Sequence, residues 1–136
     1  EFKKRISELF SRFETDFYNI EHIYPKAGKN TYWSERFSSL NDREKEKKKH
    51  SLPNLLLVGK KKNGYLANKS YPEKRQEGEC CYEFGIYSER KLAKDYDNWT
   101  PETIHQRAES LKRFINKRWS ISFNNNDIFD KFIGLD

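Results

Sequence analysis

The segment Tyr18-Asn19-Ile20-Glu21-His22-Ile23-Tyr24-Pro25 is rich in β-branched and aromatic residues and stops at a proline, so it reads as a short strand running into a turn. Further on, Leu55-Leu56-Leu57-Val58 is an apolar run bounded by Pro53 and Gly59, the mark of a short buried strand that can pair with the first. Lys60-Lys61-Lys62-Asn63-Gly64 then reads as a basic turn, and Tyr65 to Ser70 as a short helix. Together these make a strand, turn, strand, helix unit. The expected fold class is α+β, a ββα core with flanking helices, over 1–136 as a single domain.

Outward from this unit, Phe2, Ile6, Leu9, Phe10, Phe13 and Phe17 recur at the spacing of one helix face, which predicts a helix before the first strand. Between Lys26 and His50 the periodicity breaks down. The charge run Asp42 to Lys49 reads as solvated loop or helix, with Trp33, Phe37 and Leu40 tying the excursion to the core. Phe84 to Tyr96 looks helical. A long last helix opens where Thr100 can cap, Pro101 takes the first turn and Trp99 can staple onto Ile104. Its predicted inward face is Ile104, Ala108, Leu111, Ile115 and Trp119. Asn124-Asn125-Asn126 reads as a turn before a terminal amphipathic stretch.

Ten Phe, eight Tyr and three Trp in 136 residues supply core material that a disordered chain lacks. A length of this order suits one domain without disulfide support. The net charge of +6 favours a polyanionic partner, although a solvated basic surface explains the total equally well. Cys80 and Cys81 are adjacent, which suits neither an ordinary disulfide nor paired zinc knuckles, and they are expected to be reduced thiols. No apolar run approaches the roughly 18 residues needed to span a bilayer, and no signal pattern opens the chain. A cytoplasmic location without membrane contact is expected. The start at Glu1 without a methionine suggests a fragment cut from a longer protein.

Hydrolysing a phosphodiester requires a base for water, a cation to stabilise charge on the phosphorane and leaving oxygen, and a scaffold that aligns them. The ββα unit carries candidates for all three. Glu21 and His22 are adjacent, so on a flat strand they point to opposite faces; a turn or bulge starting at Ile23-Tyr24-Pro25 would bring both to one site. Asn63 would add an amide oxygen, and a hard cation such as Mg²⁺ prefers oxygen donors completed by water and phosphate. Taken singly, a histidine on a strand is more often a satisfied polar group than a catalyst, and Asn63-Gly64 is an ordinary turn dipeptide. The neighbours are what give these residues weight.

Ile20-Glu21-His22-Ile23-Tyr24-Pro25, Leu52-Pro53-Asn54-Leu55-Leu56-Leu57, Asn63, Asn68, Tyr71, Glu73 and Lys74, and then Trp99-Thr100, Ile104, Arg107, Leu111 and Trp119, carry a resemblance in shared order and spacing. The chain resembles the HNH (ββα-metal) nuclease domain at the C-terminal end of GmrSD-type, modification-dependent restriction endonucleases, from about Ile20 to Trp119. It departs from that pattern at Pro53, where a glycine is usual. The resemblance implies His22 as general base, Glu21 and Asn63 as ligands of one Mg²⁺ or Mn²⁺, Asn54 and Asn68 as site support, and Lys74 as a phosphate contact. It also implies DNA as substrate, a role in restriction and antiviral defence, and an NTP-hydrolysing ParB-like domain in the full-length protein. Two nicks on opposite strands would need two sites, which makes a homodimer an expected partner arrangement.

Lys60, Lys61, Lys62, Lys69, Lys74 and Arg75 cluster around the short helix, where they would follow a nucleic-acid backbone without reading sequence. His50 and His105 are read as surface or supporting residues, and the three tryptophans as core rather than base-stacking platforms. Two competing readings use the same residues: a non-catalytic nucleic-acid-binding module built on the lysine cluster, and an RNA-directed nuclease.

Overall fold

The computed structural model describes residues 18–123 and 125–136. The helix expected over Phe2 to Phe17 lies outside the described residues. The two predicted strands are present as β1 (Tyr18–His22) and β2 (Leu55–Gly59). They pair antiparallel, with Ile20 opposite Leu57, Glu21 opposite Leu56 and His22 opposite Leu55. The sheet has one wet face and one dry face. Leu56 and Val58 are buried while Tyr18, Ile20 and Leu57 are exposed, as alternation along a strand requires. With the helices around it the architecture is α+β.

Between the strands run α1 (Thr31–Arg36), α2 (Asp42–His50) and a 3-10 turn at Leu52–Asn54. The charge run is therefore helical. Asn41 accepts from the backbone N–H of Glu44, and the Glu44 carboxylate accepts from that of Asn41, a capping box that starts α2 without any buried side chain. Trp33 and Phe37 are fully buried and Leu40 partly so. Pro53 is accommodated in the first turn of the 3-10 segment, where its missing N–H costs nothing.

The basic turn predicted at Lys60–Gly64 is instead the body of a helix. Strand β2 runs straight into α3 (Lys60–Leu66), with Gly59 as the cap residue. The Asn-Gly pair suggested a turn locally, but tertiary anchors override that preference: Leu66 is fully buried, and Lys62 pairs with Glu89. Ser70, expected at the end of this helix, instead caps α4 (Tyr71–Gln76).

The helix expected over Phe84 to Tyr96 is interrupted. A 3-10 turn at Tyr82–Phe84 precedes α5 (Tyr87–Asp95), and the Glu89 carboxylate occupies the space a side chain at Gly85 would need. Helix α6 (Pro101–Trp119) begins as predicted, with Thr100 Oγ1 accepting from the Thr103 N–H at 3.2 Å. Its expected inward face is only partly so. Ile104, Ala108 and Ile115 are buried and Leu111 partly, but Trp119 is 56% exposed, stacked edge-on against Phe114. Helix α7 (Asn126–Ile133), capped by Asn125, presents Phe129 and Ile133 to Ala108 and Ile115, so the buried stripe of α6 ends before Trp119.

The main core gathers Ile23, Tyr24, Trp33, Phe37, Leu56, Val58, Leu66, Tyr71, Tyr82, Leu92, Trp99 and Ile104. It lies under the strand pair. Both cysteines are free thiols. No described helix is long and apolar enough to cross a membrane.

Candidate active site

The end of β1 is where the chain leaves the pleat. Lys74, on α4, donates to the carbonyls of both His22 and Ile23, at 3.0 and 3.2 Å. In an extended strand successive carbonyls point to opposite sides. Their convergence on one ammonium therefore records the bend that the neighbouring Pro25 and the alternating faces called for. An open cavity of about 340 Å³ lies there, lined by Asn19, Ile20, Glu21, His22, Pro25, Lys26, Asn63, Ala67 and Asn68. Glu21, His22, Asn63 and Asn68, all chosen from sequence, thus share one cavity.

Glu21 is buried, and its Oε1 accepts from Lys74 Nζ at 2.6 Å and from the Tyr82 hydroxyl at 2.9 Å. Both bonds land on one oxygen, Oε1, and Glu21 also lines the cavity. Burial pushes the Glu21 carboxyl up and the Lys74 ammonium down, and their attraction opposes both shifts. Burial, with the Glu21 charge beside it, raises the Tyr82 phenol well above its ordinary value. Tyr82 stays a donor.

His22 is half-buried. Its imidazole is lowered from 6.5 to about 4, first by desolvation and then by the positive charges of Lys26, His50 and Lys74. At neutral pH it is the free base. The ring of His50 stands edge-on to it, with centroids 5.3 Å apart, and Glu46 lies 3.7 Å from the His50 Nε2. His105 is engaged elsewhere, at 2.9 Å from Lys48 Nζ.

Asn54 is fully buried and uses every polar position it has. Its Oδ1 accepts from Tyr24 N–H and Trp99 Nε1, and its Nδ2 donates to the carbonyls of Tyr24 and Lys49. Arg107 donates to the carbonyls of Pro53 and Leu55 on either side. The loop entering β2 is thereby tied to the segment leaving β1. Asn68 holds the other rim, its carbonyl accepting from Asn30 Nδ2 at 2.9 Å.

The basic cluster divides. Lys60 and Lys61 are exposed at the start of α3. Lys62 is committed to Glu89 at 2.5 Å and to the Cys81 carbonyl, Arg75 to Asp97 and the Ala93 carbonyl, and the Lys69 ammonium lies over the Tyr65 ring. Lys74 has no exposed surface at all, which corrects its expected role: an ammonium with all three protons given to Glu21, His22 and Ile23 has none left for a phosphate.

Two residues at the site were missed from sequence. Lys26 lines the cavity, and its position directly after Pro25 was the available signal. Tyr82 had none, being 61 residues from the carboxylate it touches.

No group of three or more His, Cys, Asp or Glu side chains suited to a metal occurs among the described residues. The cavity offers instead the Glu21 carboxylate and the amide side chains of Asn19, Asn63 and Asn68, in an open space with room for water and a phosphate oxygen. That donor set fits a hard divalent cation that keeps much of its hydration.

No curated protein and no solved structure matches the chain. The family model of the GmrSD restriction endonucleases, C-terminal domain, matches residues 2–114. That span takes in both strands, the cavity, Lys74, Tyr82 and the Arg107 clamp, and stops before α7. With the match covering the site and most of the chain, this protein belongs to the family of GmrSD restriction endonuclease C-terminal domains.

Proposed function

We propose that these 136 residues act as one HNH-type nuclease domain, which cleaves DNA by hydrolysing phosphodiesters with one Mg²⁺ or Mn²⁺. The observation that carries this reading is the sharing of one cavity by Glu21, Asn63 and a histidine held neutral. His22 takes the proton from the attacking water through a ring nitrogen that is unprotonated at neutral pH. Glu21 Oε2 and the Asn63 side-chain oxygen would hold the cation, which when bound would offset negative charge on the phosphorane and leaving oxygen. Lys26 supplies a positive charge at the mouth of the site, and Asn54 braces the loop on which the geometry depends.

Restriction and antiviral defence in the cytoplasm, alongside an NTP-hydrolysing ParB-like domain of the full-length protein and as a homodimer, complete the proposal. Membership of a restriction-endonuclease family supports it.

The test is digestion of supercoiled plasmid, and of RNA beside it, with EDTA, Mg²⁺ or Mn²⁺. Metal-dependent nicking of DNA is expected from the wild type and none from His22→Ala, whose DNA and Mn²⁺ affinities stay near wild type. Glu21→Ala and Asn63→Ala should instead bind Mn²⁺ weakly. Full cutting by His22→Ala would sink the mechanism, and cutting of RNA alone would move the substrate.

A further inference from the structure

Resting on the metal reading of Glu21, we infer that Lys74 and Tyr82 are positioning residues that pre-set this carboxylate and the backbone bend behind it. The two come from different elements, α4 and the 3-10 turn that follows it, yet both converge on Glu21 Oε1. A carboxylate held through one oxygen by two donors has lost rotation about its terminal bond. Oε2 is thereby presented at a fixed place.

Lys74 acts on two levels. Its remaining donors take the carbonyls of His22 and Ile23, so one ammonium holds the side chain of the proposed ligand and the backbone that aims the proposed base. Full burial keeps water from competing for these hydrogen bonds. Tyr82 is fully buried too, and with its phenol held protonated it can only donate to the carboxylate. Neither residue reaches the reacting atoms. Both act through Glu21 and His22.

The assignment separates position from charge. Lys74→Arg keeps the positive charge, but a planar guanidinium fork cannot send three donors to the points a tetrahedral ammonium reaches. Tyr82→Phe removes one donor, leaves the ring in the core and changes no formal charge.

The experiment measures Mn²⁺ binding to the 136-residue chain by titration calorimetry, for the wild type, Tyr82→Phe and Lys74→Arg, with thermal melting in EDTA alongside. Tyr82→Phe is expected to melt close to the wild type yet bind Mn²⁺ about 10-fold more weakly, the usual effect of losing a group that orients a ligand. Its plasmid nicking should recover at saturating Mn²⁺. Lys74→Arg should bind at least as weakly. If Lys74→Arg fails to fold, Tyr82→Phe alone decides. Wild-type Mn²⁺ affinity in the folded variants overturns this inference alone, whereas no Mn²⁺ binding by the wild type overturns the metal reading and this inference with it.

Discussion

Trp99 donates its indole N–H to Asn54 Oδ1 at 2.9 Å, across 45 residues of sequence and entirely within the core. The same oxygen accepts from Tyr24, and the amide nitrogen serves two carbonyls. Truncation at Asn54 would therefore orphan several buried groups at once. Asn54→Ala is expected to destabilise the fold by about 3 kcal/mol or more, since each unsatisfied buried group costs on the order of 1–3 kcal/mol. Urea unfolding measures it, and a loss below about 1 kcal/mol would mean that these bonds are not made in solution.

The proposed base should titrate low. His22 lies at about 4 in the fold against an ordinary 6.5. Between those values the unfolded chain holds a proton the folded chain does not, so His22 makes stability fall as pH drops from 6.5 towards 4 and adds no slope above 6.5. Nuclear magnetic resonance titration of the ring should give a value well below that of free imidazole, moving upward in Lys26→Gln as one repelling charge is removed. A value at or above the ordinary one would remove the physical basis for a neutral base.

Backbone binding by the lysines should follow exposure rather than sequence clustering. For Lys26→Gln, Lys60→Gln and Lys61→Gln, the slope of log affinity for DNA against log salt should flatten by about 0.9 for each phosphate that is no longer neutralised. Lys62→Gln should leave that slope alone. It should instead destabilise the protein by on the order of 3 kcal/mol, because the buried Glu89 carboxylate loses its partner. A salt slope changed by Lys62→Gln and not by the exposed three would reverse this division.

Ala67 ends α3 at φ 39° and lines the cavity. A Cβ makes that conformation costly, and glycine adopts it freely. Ala67→Gly is expected to raise stability by about 1 kcal/mol. A lower melting temperature in this variant would show that the backbone there relaxes when free to do so.

Much of the fold was legible locally. The strands at Tyr18 and Leu55 and the Thr100-Pro101 helix start follow from propensity, apolar runs and capping, all of which act over a few residues, and the burial of Trp33 and Phe37 follows from their bulk and apolarity in an otherwise charged stretch. Errors arose where a local preference met a distant anchor. Asn63-Gly64 favours a turn, yet Leu66 and the Lys62–Glu89 pair hold those residues in a helix. Trp119 lies on the apolar stripe of α6, yet the last helix covers that stripe only as far as Ile115.

The candidate site divides in the same way. Sequence alone determined that a glutamate and a histidine stand side by side where a strand meets a proline, with an asparagine in the basic segment that follows the second strand, because neighbours along the chain remain neighbours in the fold. Only the tertiary structure decided that Lys74 is buried beneath Glu21 rather than facing solvent, and that Tyr82 shares its oxygen. Whether an ammonium meets water, phosphate or carboxylate depends on what α4 packs against, and its partner lies 53 residues away. No local pattern encodes that encounter; burial enforces it, because a charge removed from water must find its partner inside.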